Sequence, residues 1–291
     1  MSDKTISDNT TIVVGIDGSE SADRAVVWGA QTAAGRSRPL RIVTAVELPA
    51  HLKDDQIAES RAIAGSRLTA AATLAREVAT EPPISVTTDA LEGNAIDVLI
   101  AESGNAAMIV VGESGLGDTV SGMLGSVANA LCAHANSPVA VVRGRSIDGR
   151  PPMLGPVVVG IDGSEANQPA VAMAFEEASQ RGNPLVAVHV WSDVSLTQLP
   201  AVPDRWEDIA SAEEAVLAES LAGWQEKYPD VEVRRVVAQD RPVRVIAQLS
   251  EQASLIVVGN RGRGGFKGML LGSTSYALVH TADCPVHVVR R

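Results

Sequence analysis

The chain has 291 residues, 45% of them hydrophobic and only 3% aromatic, which is enough for two cores of about 145 residues each, built from Val, Ile, Leu and Ala. The net charge is −11, shared almost evenly: 18 acidic against 12 basic side chains in residues 1–150, and 17 against 12 in 151–291. That balance argues against nucleic acid or an anionic membrane as the main partner. The two cysteines, Cys132 and Cys284, form no CxxC pair and read as small buried hydrophobes. Residues 1–10 are polar and carry no signal-peptide core, and no apolar run reaches the ~18 residues a membrane span needs, so a cytoplasmic location is expected.

In chain order, the first half alternates apolar β-branched runs at 12–16, 40–46, 84–88, 107–111 and 138–142 with helical patterns near 21–35, 56–79, 94–103 and 123–135. Ser19, Asn94 and Ser121 suit helix N-caps. The polar, turn-rich segment 145–154 reads as a linker between domains at 1–144 and 155–291. The second half repeats the pattern, with strands near 156–161, 185–191, 231–237, 254–258 and 286–290, and one long middle helix from about 204 to 227. The repeat is explicit: the segment Thr11–Glu20 returns as Pro156–Glu165, and Ile109–Gly112 returns as Ile256–Gly259. Two copies at near-constant offset are a duplication.

Alternating strands and helices predict an α/β fold in each half: a doubly wound, five-stranded parallel sheet with right-handed crossovers. Ligands in such folds bind outside the carboxyl ends of the strands. Two places lie there. Gly15 and Asp17, and in the second half Gly160 and Asp162, close the first strand, where a carboxylate can accept hydrogen bonds from ribose hydroxyls or an adenine amine. The alternative for these residues is an ordinary Asp-Gly-Ser turn. The second place is a glycine-rich loop after the fourth strand: Gly112, Glu113, Ser114, Gly115, Leu116, Gly117 and Asp118, then Gly125, Ser126 and Val127. The second copy reads Gly259, Asn260, Arg261, Gly262, Arg263, Gly264 and Gly265, then Gly272, Ser273, Thr274 and Ser275. Glycines admit a phosphate close to the backbone, and the helix that follows offers free N–H groups at the positive end of its dipole. GxxxxGK[ST] is absent from both halves, as is GxGxxG after the first strand.

The spacing G-x2-G-x9-G-[ST], preceded by Val-Gly-Ile-Asp-Gly-Ser and found twice, resembles the ATP-binding branch of the universal stress protein family, and segments such as Leu221–Glu226 resemble its actinobacterial tandem members. The resemblance covers about residues 10–143 and 155–291. It implies a strand order of 3-2-1-4-5 in a Rossmann-like sheet, with the two domains packed as a pseudo-dimer through their last strands. It implies ATP as the ligand, with or without magnesium. Asp17 and Asp162 would contact ribose, the glycine loops would hold phosphates, and backbone near Val46 and near Asp193 would flank adenine. It also implies a nucleotide sensor that acts on regulatory protein partners in stress or growth control, with homodimerisation left open. The five histidines form no HxxxH pair and no Gly-x-Ser-x-Gly elbow occurs, so no residue stands out as nucleophile or general base. A binder is therefore expected in preference to an enzyme, with a slow ATPase, a cyclic-nucleotide module, or one working site beside a dimerisation scaffold as alternatives. Arg261, Arg263 and Lys267 favour polyphosphate in the second site, whereas the first carries Glu113 and Asp118 and no basic residue from 112 to 126, so ATP is expected to bind more tightly in the second.

Overall fold

The computed structural model describes residues 10–116, 124–144, 150–191, 206–262 and 270–290. The chain divides into two compact units, residues 1–142 and 143–291, and each is an α/β domain.

In the first unit, β1 (Ile12–Gly15), β2 (Leu40–Val46), β3 (Val86–Glu92), β4 (Met108–Gly112) and β5 (Val139–Val142) lie in the order β3-β2-β1-β4-β5. Each neighbouring pair is parallel, with Ile12 beside Leu40 and Met108, and Ile109 beside Val139. The crossovers are α1 (Glu20–Gly35), α2 (Asp54–Val78), α3 (Ala95–Ser103) and α4 (Ser126–His134). β1, β5 and the first four residues of β4 are buried throughout, the signature of parallel strands covered on both faces. α1 buries Ala25, Val26, Trp28, Ala30 and Ala33 with no measurable exposure, the small residues letting it lie close on the sheet. Ser19 caps α1 by accepting the Ala22 amide, and Asn94 caps α3 by accepting that of Ile96.

The second unit repeats the design. β6 (Val157–Ile161), β7 (Leu185–Trp191), β8 (Val233–Gln239), β9 (Leu255–Gly259) and β10 (Val286–Val289) stand in the order β8-β7-β6-β9-β10, again all parallel. Both units thus carry the expected 3-2-1-4-5 order. A short 3-10 turn, Glu165–Asn167, leads into α5 (Gln168–Arg181); α6 (Trp206–Ser220), α7 (Trp224–Lys227), α8 (Pro242–Ser250) and α9 (Ser273–Thr281) complete the unit.

Two expectations need correction. The middle helix of the second half is not continuous over 204–227: α6 stops at Ser220, and Gly223, at φ +77°, takes a left-handed conformation that ends the helical path before α7 begins. The third strand lies at 86–92 and not at 84–88, as its copy lies at 233–239 and not at 231–237. Among the described residues it pairs only with β2, and it is half exposed, so its sequence, Val-Thr-Thr-Asp-Ala-Leu-Glu, lacks the apolar run that marks the inner strands. The predicted cap Ser121 lies outside the described residues, and the residue at the N-cap of α4 is Gly125.

Candidate functional site

At the carboxyl end of each sheet the strand order reverses between strands one and four of the repeat, and a cavity opens there in both units. The first measures about 270 Å³ and is lined by Gly15, Asp17, Gly112, Glu113, Ser114, Gly115, Leu116, Gly125, Ser126 and Val127. The second measures about 410 Å³ and is lined by Gly160, Asp162, Gly259, Arg261, Gly262, Gly272, Ser273, Thr274 and Ser275. Residues 113 positions apart in the first half, Gly15 and Ala128, and 115 apart in the second, Gly160 and Ser275, thus converge on one crevice.

The Asp-Gly-Ser turn builds the near wall. Asp17 accepts the Ser19 amide at 3.0 Å through Oδ1, and Gly18 takes φ +89°, a conformation that disfavours a side chain. The other carboxylate oxygen accepts the Leu116 amide at 2.8 Å, so Asp17 braces the glycine loop against the end of β1. Asp17 thus makes the Asp-Gly-Ser turn and also lines the cavity. In the second unit Asp162 Oδ1 accepts both the amide of Ser164 at 2.8 Å and its hydroxyl at 2.7 Å.

The far wall is the glycine loop and the helix behind it. Glu113 donates its amide to the Val142 carbonyl at 3.1 Å and accepts the Gly125 amide at 2.7 Å; Asn260 donates to Val289 at 2.7 Å and accepts from Gly272 at 2.7 Å. These bonds place the helix N-terminus at the strand end. Gly125 and Gly272, the N-caps of α4 and α9, supply no capping side chain. The first-turn amides of both helices therefore face the crevice without the usual side-chain acceptor, an arrangement suited to an anion. Ser275, in contrast, spends its hydroxyl on the Gly259 carbonyl at 2.6 Å.

The floor is apolar. Leu99 from α3 and Ile246 from α8 occupy matching places, each packed so close to the first strand of its unit that a Cβ on Gly15 would sit 2.7 Å from Leu99 and one on Gly160 3.2 Å from Ile246. Val188 and Val190 of β7 extend the wall in the second cavity. Glycine motifs could not reveal these residues; the sequence signal available was that Leu99 and Ile246 occupy the same station in the two copies, 147 residues apart.

Of the other expected residues, Val46 is buried at the end of β2, where its carbonyl accepts the Gly93 amide at 3.0 Å, and it does not line the cavity. Nor does Asn260. Gly117, Asp118, Asp193, Arg263, Gly264, Gly265 and Lys267 lie outside the described residues. A charge that sequence reading missed stands at the first site: Arg24 of α1 donates to Glu113 at 3.1 Å, both side chains about one-fifth exposed. Glu113 is thus compensated from 89 positions away. Among the described residues no cluster of His, Cys, Asp and Glu has the makings of a metal site, and no helix is long and apolar enough to cross a membrane.

Fold and site together define a tandem α/β protein with a glycine-lined crevice in each repeat. The sequence profile of the universal stress protein family matches residues 9–143 and 153–290, and the chain belongs to that family. It is 43% identical over 291 residues to universal stress protein Rv2005c of Mycobacterium tuberculosis, covering 96% of this chain and 97% of that protein. It is 39% identical over 300 residues to universal stress protein Rv2623 of the same organism, covering 96% of each. The fold is similar to the crystal structure of a universal stress protein from Archaeoglobus fulgidus, with a TM-score of 0.70, 22% identity, and 98% and 99% of the two chains covered.

Proposed function

We propose that each repeat binds an adenine nucleotide, ATP first among them and with magnesium optional, and that the bound state is read by protein partners in stress or growth control. The observation that carries this reading is the pairing of an apolar floor with an uncapped helix N-terminus in one crevice, repeated in both units. A flat aromatic base suits the wall of Leu99 or Ile246. Asp17 and Asp162 stand where they can accept ribose hydroxyls, the Leu116 amide exchanging its carboxylate partner for the ligand. The glycine loops and the amides of Ser126, Val127, Ser273 and Thr274 face the phosphates. The volumes of about 270 and 410 Å³ are of the order of small-ligand sites.

The test is direct. Whatever small molecule leaves the purified chain on denaturation is identified by mass spectrometry, and calorimetry follows with ATP, AMP and cyclic AMP. Intact ATP released from the protein, with heat on re-addition, supports a binding role. Steady phosphate release at saturating ATP would favour the slow-hydrolase alternative. Absence of heat with every adenine nucleotide, on folded protein, would overturn the reading.

A further inference from the structure

The two crevices share a backbone but not a charge. Glu113 and Asn260 occupy the same station on the glycine loop, since each donates its amide to the last strand of its unit and accepts the amide of the glycine that caps the following helix. The side chain there is a carboxylate in the first unit and a carboxamide in the second. Arg24, whose guanidinium meets Glu113 at 3.1 Å, has Pro169 as its counterpart 145 residues on. Conversely, Arg261 lines the second cavity where the first has Ser114.

Among the described lining residues, the first cavity has Asp17 and Glu113 and no cation, and the second has Asp162 and Arg261; Arg24 reaches Glu113 from outside the first lining, and Arg67 lies against Gly18 of the Asp17 turn. The cavity with the more acidic lining is also the smaller, about 270 against 410 Å³.

We infer that the two crevices sort adenine nucleotides by the length and charge of the phosphate tail: the second takes the triphosphate, and the first takes a short-tailed ligand of the nucleoside monophosphate class, with Glu113 as the residue that sets the difference. Glu113 is a fixed anion on the phosphate loop. It repels the outer phosphates of a long tail, and it engages the guanidinium that would otherwise meet them. A monophosphate reaches the helix N-terminus without running past the carboxylate. The inference rests on the nucleotide reading above and assigns the two sites different members of that class.

The experiment uses the full chain. Gly262→Asp closes the second site, because a Cβ at 262 would sit 2.9 Å from Asp162 Oδ2 and the new carboxylate would face that one. Gly115→Asp puts a carboxylate at the matching position of the first cavity, whose lining includes Gly115. Calorimetry then gives the ratio of ATP to AMP affinity at each remaining site, a ratio insensitive to any fraction of unfolded protein. The G262D chain is expected to bind AMP at least as tightly as ATP, and the G115D chain to prefer ATP. Adding Glu113→Gln to G262D should raise ATP affinity about tenfold while AMP affinity moves less than about threefold. Adding Asn260→Glu to G115D should shift the ratio the other way. An ATP-to-AMP ratio that E113Q leaves unchanged, or one equal at the two sites, would overturn the sorting. If the unmodified chain binds neither nucleotide, the nucleotide reading itself fails and takes this inference with it.

Discussion

His189 Nδ1 lies 2.8 Å from the Ile161 carbonyl, at the end of the strand that carries the second site. A carbonyl only accepts, so Nδ1 carries the hydrogen in this contact. Nε2 is held from the other side by Glu213 of α6 at 2.6 Å. In the first unit the matching carbonyl, Ile16, accepts the Thr44 hydroxyl at 2.9 Å. The duplication has kept the requirement, a donor from the second strand to the end of the first, and changed the residue that meets it.

His189→Ala leaves the Ile161 carbonyl without that donor and Glu213 without its ring partner, and it opens a buried void, since His189 is 2% exposed. The expected loss of stability is about 2–4 kcal/mol. His189→Thr copies the first unit and should recover about 1 kcal/mol of it. Urea titration of the three proteins checks this; equal midpoints for Ala and Thr would show that the hydroxyl does not reach the carbonyl.

The strand-end glycines of the two units differ in how tightly they are held. A Cβ on Gly112 would stand 2.4 Å from Ser21 Oγ and 2.6 Å from its carbonyl oxygen, the latter backbone that cannot rotate away. A Cβ on Gly259 would meet the Arg261 carbonyl at 3.1 Å and Asn167 Nδ2 at 3.5 Å. Gly112→Ala should therefore cost about 1–3 kcal/mol through overpacking, and Gly259→Ala less than about 1. Differential scanning calorimetry would resolve the pair, and a reversed order of melting temperatures would contradict the geometry.

How much of this the sequence disclosed depended on where each residue's constraint lies. β1, β4, β5 and their copies were legible because burial on both faces demands uninterrupted apolar runs, as in Ile-Val-Val-Gly at 109–112 and again at 256–259. The Asp17 turn and the glycine loops were legible because close approach demands glycine and the order of elements demands a crevice there. The start of β3 was not, because a strand paired on one side tolerates Thr, Asp and Glu. Arg24 was not, because its pairing with Glu113 depends on α1 crossing the end of β4, a tertiary fact with no local trace. The tighter hold expected of ATP in the second half leaned on an unopposed Glu113; with Arg24 beside it, the argument rests on the balance of charges around each crevice.

Asp23, in the first turn of α1, responds to pH in a direction the fold dictates. Partial burial, and then the negative charges of Glu20 and Asp17, raise its pKa from the ordinary 3.8. The folded state thus holds this proton more firmly than the unfolded chain does. The associated stability is present below the unfolded value, and it is lost as pH rises from there through the raised folded one. Asp23→Asn removes the penalty. It should stabilise the first unit at neutral pH by less than about 1 kcal/mol, since the group is largely exposed and screened. The gain should vanish below the carboxylate range. A difference between the two proteins that stays constant from acid to neutral pH would assign the effect to something other than ionisation.

Asp17 joins two parts of the first site, and its removal separates their roles. Its Oδ1 fixes the Asp-Gly-Ser turn through the Ser19 amide, and its Oδ2 fixes the glycine loop through the Leu116 amide. Asp17→Asn keeps one acceptor oxygen for one of the two amides and turns its amide donor on the other. Asp17→Ala removes both acceptors. If Asp17 accepts ribose hydroxyls as proposed, nucleotide affinity at the first site should fall about tenfold or more in either variant, the loss of a hydrogen bond to a charged group. Protection of the Leu116 amide from hydrogen exchange should fall in both free proteins and most in the alanine variant. A D17A chain that loses loop protection yet binds adenine nucleotide at the first site as tightly as before would make Asp17 a structural brace alone and move ribose recognition elsewhere in the crevice.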